Sequence, residues 1–413
     1  MNNKVLIIGL IWPEPDSTAA GERIMQLIEV FQKNKFRIIF VSTASKSDKS
    51  YPLETLHIET HKIEINSSSF DRLVIKIDPS IVVFDRFITE EQFGWKITEN
   101  CPEALKILDT EDLHFLRNAR QNAFKDKKKL NLKYLTNDIS KREIASIFRC
   151  DLSLIISKYE MNLLNNEFKI NNDILLYLPF LIDNIKKNNF SHYPAFKERI
   201  DFITIGNFKH KPNKNSVKYL KETIWPLIRS ELPNARLNVY GAYIPEYVKQ
   251  LHSEKDGFII KGWAKDKEEV FTKSRVCLAP LNFGAGLKGK LIDSMQYGAP
   301  NVTTSLGAES MHDLLEWNGF IKDDPKEFAL GAVKLYGNEK IWKNSQKNGV
   351  TIINQCYDKK NFSKKLMQKV MILKKNIDEH RLGNFIGSML NHHTMQSTKY
   401  LSKWIETKNT RSK

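Results

Sequence analysis

The sequence predicts an α/β protein built from two doubly wound parallel units that face a cleft, and three observations predict it. Apolar runs of strand length alternate with helical patterns along most of the chain. Several runs, such as Ser153-Leu-Ile-Ile-Ser157, are apolar without alternation, as strands covered on both faces require. The 413 residues suffice for two domains of roughly 200 residues, each able to bury a core.

In the first unit the apolar runs predict strands at 4–10, 36–42, 81–84, 105–108, 152–156 and 174–178. Helical periodicity between them predicts helices at 19–33, 90–100 and 140–148. A second series predicts strands at 199–205, 236–240, 258–261, 276–279, 302–303 and 320–322, with helices at 213–224, 267–273, 291–297 and 326–336. Gly298 closes the 291–297 helix and Pro300 opens the next strand. The polar stretch 184–193 reads as a linker, and the tail from about 360 to 408 reads as helical and basic. The expected division is 1–190, 191–375 and a helical tail at 376–413.

Composition narrows the class. Hydrophobic content of 41% and charged content of 27% suit a soluble or peripheral protein. Cys101, Cys150, Cys277 and Cys356 lie far apart without zinc spacing, so a reducing cytoplasm is expected. The opening apolar run is short and ends in Pro13-Glu-Pro-Asp16, which suits a first strand better than a leader. No window approaches the ~18 apolar residues of a spanning helix. The net charge of +16 attracts polyanions, with clusters at Lys125-Asp-Lys-Lys-Lys129, Lys186-Lys187, Lys359-Lys360, Lys364-Lys365 and Lys374-Lys375. Two readings stand: solvated helix faces, or an anionic membrane surface where each lysine contributes ~1 kcal/mol. No zinc pattern, aromatic RNP-like run or helix-turn-helix accompanies the charge, which argues against nucleic acid.

The most informative stretch runs from Ala279 to Ser305. A strand feeds a loop with Gly284, Gly286 and Gly289, then a helix. Such a loop presents backbone N–H groups and the positive end of the helix dipole, which suit a phosphate. Lys288 and Lys290 add two ammonium charges, and Asp293 in the first turn is a candidate for ribose hydroxyls. A second candidate cluster, Asp109-Thr-Glu-Asp-Leu-His114, follows a strand. There Asp109 and Asp112 would orient an acceptor hydroxyl and His114 would take or pass its proton; helix capping by Asp109 or Thr110 is the alternative. Arg117 is placed to pair with these acids or meet a phosphate. Ala19-Ala-Gly21-Glu22 begins a helix after the first strand, and its small residues permit either a ligand's approach or tight packing. His392 and His393 diverge by ~100° on a helix and do not suggest one metal ion. No metal is expected, since the lysines can neutralise a diphosphate.

The run 284–295, followed by Tyr297-Gly-Ala-Pro-Asn-Val-Thr-Thr-Ser-Leu-Gly-Ala-Glu309, resembles the donor-binding motif of GT-B glycosyltransferases, in particular family 4 (group 1). Segments 12–24, 108–117 and 202–213 resemble further motifs of a bacterial branch. The resemblance implies two Rossmann-like domains, with 179–183 ending the first and the last helix crossing back to it. It implies a nucleotide-sugar donor, UDP- or GDP-linked, and a glycan or lipid-linked acceptor. It raises Gly21 and Glu22 as cleft residues, Gly206 and Lys209 (or His210) as donor-diphosphate contacts, and Glu309 as a contact to donor sugar or nucleotide. The reaction implied is hexosyl transfer with retention, at the cytoplasmic face of a membrane. One departure is visible: the family's two acids bracket the loop in an E-x7-E pattern, and here Asp293 fills the second place while Ala285 stands at the first. A nucleotide-sugar epimerase, a phosphorylase-like enzyme or a non-catalytic sugar-nucleotide-binding subunit are the alternatives.

Overall fold

The computed structural model describes residues 3–186 and 192–411; Lys187, the middle of the linker and the side chain of His393 lie outside the described residues. Thirteen strands among the described residues form two sheets, all parallel.

The first sheet contains β1 (Lys4–Gly9), β2 (Arg37–Ser42), β3 (Glu59–Lys62), β4 (Ile81–Asp85), β5 (Leu105–Asp109), β6 (Leu152–Ile155) and β7 (Leu175–Tyr177), in the order β3-β2-β1-β4-β5-β6-β7. Alternate residues of one strand serve two cores. Val5 and Ile7 pack with Leu27 and Phe31 of helix Ala19–Lys33, while Leu6 and Ile8 pack with Phe93 of helix Phe87–Asn100. This two-sided burial explains the unbroken apolar runs. Strand β3 was not expected. Its sequence, Glu-Thr-His-Lys, carries no apolar signal, because an edge strand needs only one partner's register, Ile39 to Glu59.

The second sheet contains β8 (Ile200–Ile205), β9 (Leu237–Tyr240), β10 (Phe258–Gly262), β11 (Ser274–Ala279), β12 (Asn301–Thr303) and β13 (Gly319–Ile321), ordered β10-β9-β8-β11-β12-β13. In each sheet the strand order reverses beside the first strand, between β1 and β4 and between β8 and β11. Ligands of open parallel sheets bind outside the strand C-termini at such points. The two switch points face one cleft of about 420 Å³.

The chain crosses between domains twice, side by side. The Ile182 N–H donates to Tyr357 O at 2.9 Å, and the Lys359 N–H donates to Ile182 O at 3.0 Å. Helix Lys359–Lys375 then sends Phe362, Leu366, Met367, Val370 and Leu373 into the first domain's core. Burying side chains of this size stabilises by about 1.5–3 kcal/mol each. We therefore propose the second crossing, near Tyr357, as the end of the second domain, rather than 375. The tail finishes in helices Ile377–Gly383 and Phe385–Arg411.

Candidate active site

The second domain builds one wall of the cleft. After β11 the chain turns through Gly284 and Gly286 into helix Gly289–Gln296. Gly286 sits at φ +62°, in the left-handed region, and a Cβ there would lie 2.8 Å from Cβ of Asp112 on the opposite wall. Conformation and close approach both demand glycine. The Lys288 ammonium donates to Gly286 O at 2.5 Å, and Lys290 donates to Asn213 Oδ1 at 2.9 Å. Neither makes an ion pair among the described residues. Burial pushes each ammonium down to about 8; for Lys288, Glu309 opposes this and Arg120 adds to it.

Asp293 lies one turn along the helix. Burial pushes its carboxyl up to about 6, although Lys267 opposes the shift from 3.1 Å. The same Lys267 ammonium reaches Glu22 Oε2 of the first domain at 2.9 Å. Burial disfavours its charge, but Asp293 and Glu22 together hold it protonated above the ordinary lysine range.

The first domain builds the other wall from the ends of β1, β4 and β5. Strand β5 ends at Asp109, which is fully buried and clamped by Arg23: Nε lies 2.9 and 3.1 Å from its two oxygens and Nη2 lies 2.8 Å from Oδ1. Asp109 does not line the cleft. Both its oxygens are held by a buried arginine, a placement that favours a structural role over the expected catalytic one. Glu111 and Asp112 do line the cleft. Asp112 accepts from Arg117 Nη1 at 2.5 and 2.6 Å. Burial raises its pKa, but Arg117, His114 and His210 overcome this and hold the carboxyl below the usual range.

Helix His114–Lys125 is not capped by Asp109 or Thr110. Glu143 accepts from the His114 N–H at 3.1 Å and the Phe115 N–H at 2.9 Å, and Glu160 Oε1 accepts from the Leu113 N–H at 2.9 Å. Glu160 Oε1 also accepts from the Gly286 N–H at 3.0 Å, so one buried acid joins the two walls. His114 packs edge-on against Phe87, 3.7 Å from Asp112. Burial pushes His114 down to about 3 and His210, across the cleft, to about 4. Both imidazoles are neutral at pH 7 and too weakly basic to serve as general bases there. They remain hydrogen-bonding groups.

Two further expectations need correction. Gly21 is absent from the lining, since a Cβ would fall 2.5–2.6 Å from the Glu14 backbone; it is packed, while Ala19, Ala20 and Glu22 line the cleft. Glu309 is also absent, its carboxylate held by Arg120 Nη2 at 2.6 and 2.7 Å across the domain boundary. Gly206 lines the cleft, where a Cβ would stand 2.7 Å from the Asn213 side chain. Lys209 lines it too, although its ammonium rests 3.5 Å above the Tyr243 ring.

Sequence reasoning missed Arg86, Lys267 and the singular position of Glu111. Arg86 follows β4 at the switch point with φ +71°, so strand-end topology would have found it. Glu111 stands at φ +60°, is 7% exposed, and its Oε1 has no partner among the described residues. Burial, with Asp109 adding, pushes its carboxyl well above the usual range, against Arg86. Among the described residues, no group of three His, Cys, Asp or Glu is placed to hold a metal ion.

Two doubly wound domains offering their strand C-termini to one cleft, with the last helices returned to the first domain, define the GT-B fold. The profile described as "Glycosyl transferases group 1" matches residues 199–338, and through that domain the chain is related to this family. Solved structures agree on the fold. Sucrose-phosphate synthase from Thermosynechococcus elongatus is 12% identical with a TM-score of 0.67, over 90% of this chain and 99% of that one. Anabaena HepE, in complex with UDP and glucose, is 12% identical with a TM-score of 0.64, over 89% and 99%. A Klebsiella pneumoniae relative, described as an uncharacterized 44.6 kDa protein in a cps region, is 23% identical over 67% of this chain and 72% of its own.

Proposed function

We propose that the protein is a glycosyltransferase that moves a hexosyl group from a nucleoside-diphosphate sugar to an acceptor hydroxyl in surface polysaccharide, lipopolysaccharide or glycolipid synthesis. The observation that carries this is the pair of desolvated lysines at the glycine loop, Lys288 buried and Lys290 half-buried, neither in an ion pair among the described residues. A buried cation without a counter-ion is costly unless a ligand brings the negative charge. The UDP in the HepE complex and the group 1 profile support the same reading.

Breaking the sugar–phosphate bond places negative charge on the leaving diphosphate. Lys288, Lys290 and the first amides of helix Gly289–Gln296 are aimed where that charge develops. Asp293 and Lys267 bind on the nucleotide side of the same helix. The acceptor hydroxyl lies against the first domain, where Glu111 offers the unpaired carboxylate oxygen and Asp112, positioned by Arg117, a second acid. His114 and His210 hydrogen-bond as neutral imidazoles. Closure of the walls by Glu160, Arg120 and Lys267 excludes water and favours transfer over hydrolysis.

The test is a thermal-shift screen of the protein against UDP, GDP, ADP and dTDP, beside the Lys288→Ala/Lys290→Ala variant. Stabilisation by one nucleotide, lost in the variant, supports the donor site. No stabilisation at millimolar nucleotide sinks it. Donor-sugar turnover without any acceptor would indicate an epimerase, and binding without turnover a non-catalytic subunit.

A further inference from the structure

The final helix, Phe385–Arg411, is folded inside out. At ~100° per residue, Phe385, Ile386, Met389, Tyr400, Leu401 and Trp404 fall on one side. These six are 47–76% exposed. The side turned to the protein carries Gly387 and Ser402, both buried, with the half-buried Ile405 as a large apolar group among the described side chains. A helix on a globular protein ordinarily turns its apolar stripe inward.

The rotation is pinned. A Cβ on Gly387 would stand 2.1 Å from Phe148 O, so the backbone lies hard against the end of helix Asp138–Arg149. Lys399 pairs with Glu99, and Glu406 Oε1 accepts from the Ser68 N–H at 2.8 Å. The stripe cannot turn inward without breaking all three contacts. The exposed side chains form two clusters, at 385–389 and 400–404, and exposed apolar clusters of this kind mark interaction sites.

Charge selects the occupant. Between 359 and 411 the chain carries twelve Lys and Arg against three acids, so this tail holds more than half of the net +16. Lys403 and Lys408 flank the aromatic end of the stripe, and Lys408 Nζ lies 5.4 Å above the Trp404 ring. A second copy of the chain would bring the same positive surface against itself, which is repulsive. An aromatic stripe with basic edges suits the interface of an anionic bilayer. No helix among the described residues is long and apolar enough to cross a membrane.

We propose that the outward face of helix Phe385–Arg411 docks on an anionic lipid bilayer, with Tyr400, Leu401 and Trp404 entering the headgroup boundary and Lys403 and Lys408 meeting lipid phosphates. The donor site is remote from these contacts, so this proposal stands independently of the catalytic reading.

The full chain is sedimented with phosphatidylcholine vesicles, with and without phosphatidylglycerol. Binding is expected only with the anionic lipid and weakens as salt rises. Lys403→Ser/Lys408→Ser lowers the partition coefficient by about thirtyfold, and Tyr400→Ser/Trp404→Ser brings it to background. In a second measurement that perturbs no fold, brominated lipid quenches the native protein's tryptophan fluorescence more than that of Trp404→Phe. Equal binding by native and variant proteins, or equal quenching, overturns the proposal. So does an absence of vesicle binding accompanied by a dimer that the Tyr400/Trp404 variant dissolves. Nucleotide-induced stabilisation, measured in parallel, stays the same in the helix variants, which separates failure here from failure at the donor site.

Discussion

The second domain brings Lys288 and Lys290 to the cleft without an ion pair among the described residues, whereas the first domain pairs three of its acids with arginines: Asp109 with Arg23, Asp112 with Arg117, Glu90 with Arg149. Glu143 and Glu160, also buried, are held by backbone N–H groups instead, and Glu111 Oε1 has no hydrogen-bond partner among the described residues. The difference teaches what each wall awaits. A site that leaves ammonium groups desolvated is preorganised for a ligand that carries anionic charge. A wall whose acids are held by arginines or backbone N–H groups, and which leaves a Glu111 carboxyl oxygen unpartnered, suits a neutral polyhydroxyl acceptor.

Breaking the first wall's pairing is expected to have the largest effect. Asp109→Ala leaves the Arg23 guanidinium buried at 1% exposure without its counter-ion. Chemical denaturation should show a loss of about 3–5 kcal/mol, because removing one partner of a buried pair strands the other. Replacing both with Leu and Met should recover much of it. If Asp109→Ala folds as stably as the native protein yet loses activity, Asp109 is catalytic after all.

The second wall should respond in the opposite sense. Lys290→Met removes a charge-assisted contact, so nucleotide affinity falls by about 1.5–3 kcal/mol, roughly 10- to 150-fold, by calorimetry. The ligand-free protein is expected to be no less stable, since a desolvated ammonium has been replaced by an apolar chain of similar length. A variant that binds nucleotide normally would erase the contrast between the walls.

Glu111→Gln sharpens the comparison at the unpartnered oxygen. It keeps the shape and removes the carboxylate, so kcat is expected to drop about 100-fold while nucleotide affinity stays within about twofold. Equal losses in kcat and in nucleotide affinity would move Glu111 from the acceptor to the donor.

The second domain's wall could be placed from local sequence because a strand, a glycine loop and a helix start occupy some twenty consecutive residues. Lys288, Lys290 and Asp293 are therefore placed by local geometry alone. The first wall is assembled from distant segments. Asp109 and Asp112 look alike in sequence, three residues apart. Only the packing of helix Ala19–Lys33, which delivers Arg23 beneath the sheet, assigns one to the interior and the other to the cleft. The Glu309 carboxylate is likewise placed by a distant partner, since Arg120 that holds it lies 189 residues away. Most strand positions were readable because burial on both faces leaves a strong pattern; polar β3 left none. The tail was legible as helical and basic, but not the orientation of its helix at 385–411, which depends on contacts with Phe148, Glu99 and Ser68.

The smallest effect, and the most diagnostic, concerns pH. In the ligand-free protein Lys288 and Lys290 lose their protons near 8, against an ordinary 10.5, because burial disfavours the charge. A bound diphosphate restores the preference for ammonium, so above pH 8 binding must take up protons. Nucleotide affinity should then be flat below about pH 7 and weaken above 8, by at most tenfold per pH unit for each lysine. Stability of the ligand-free protein moves the other way. Between 8 and 10.5 the unfolded chain holds more protons on these lysines than the folded one, so their contribution to stability rises with pH across that window. Measuring both in the native protein and in Lys290→Met tests the pair together. Loss of one pH-dependent step from each curve would tie both trends to one desolvated ammonium, whereas unchanged curves would place the titrating groups elsewhere.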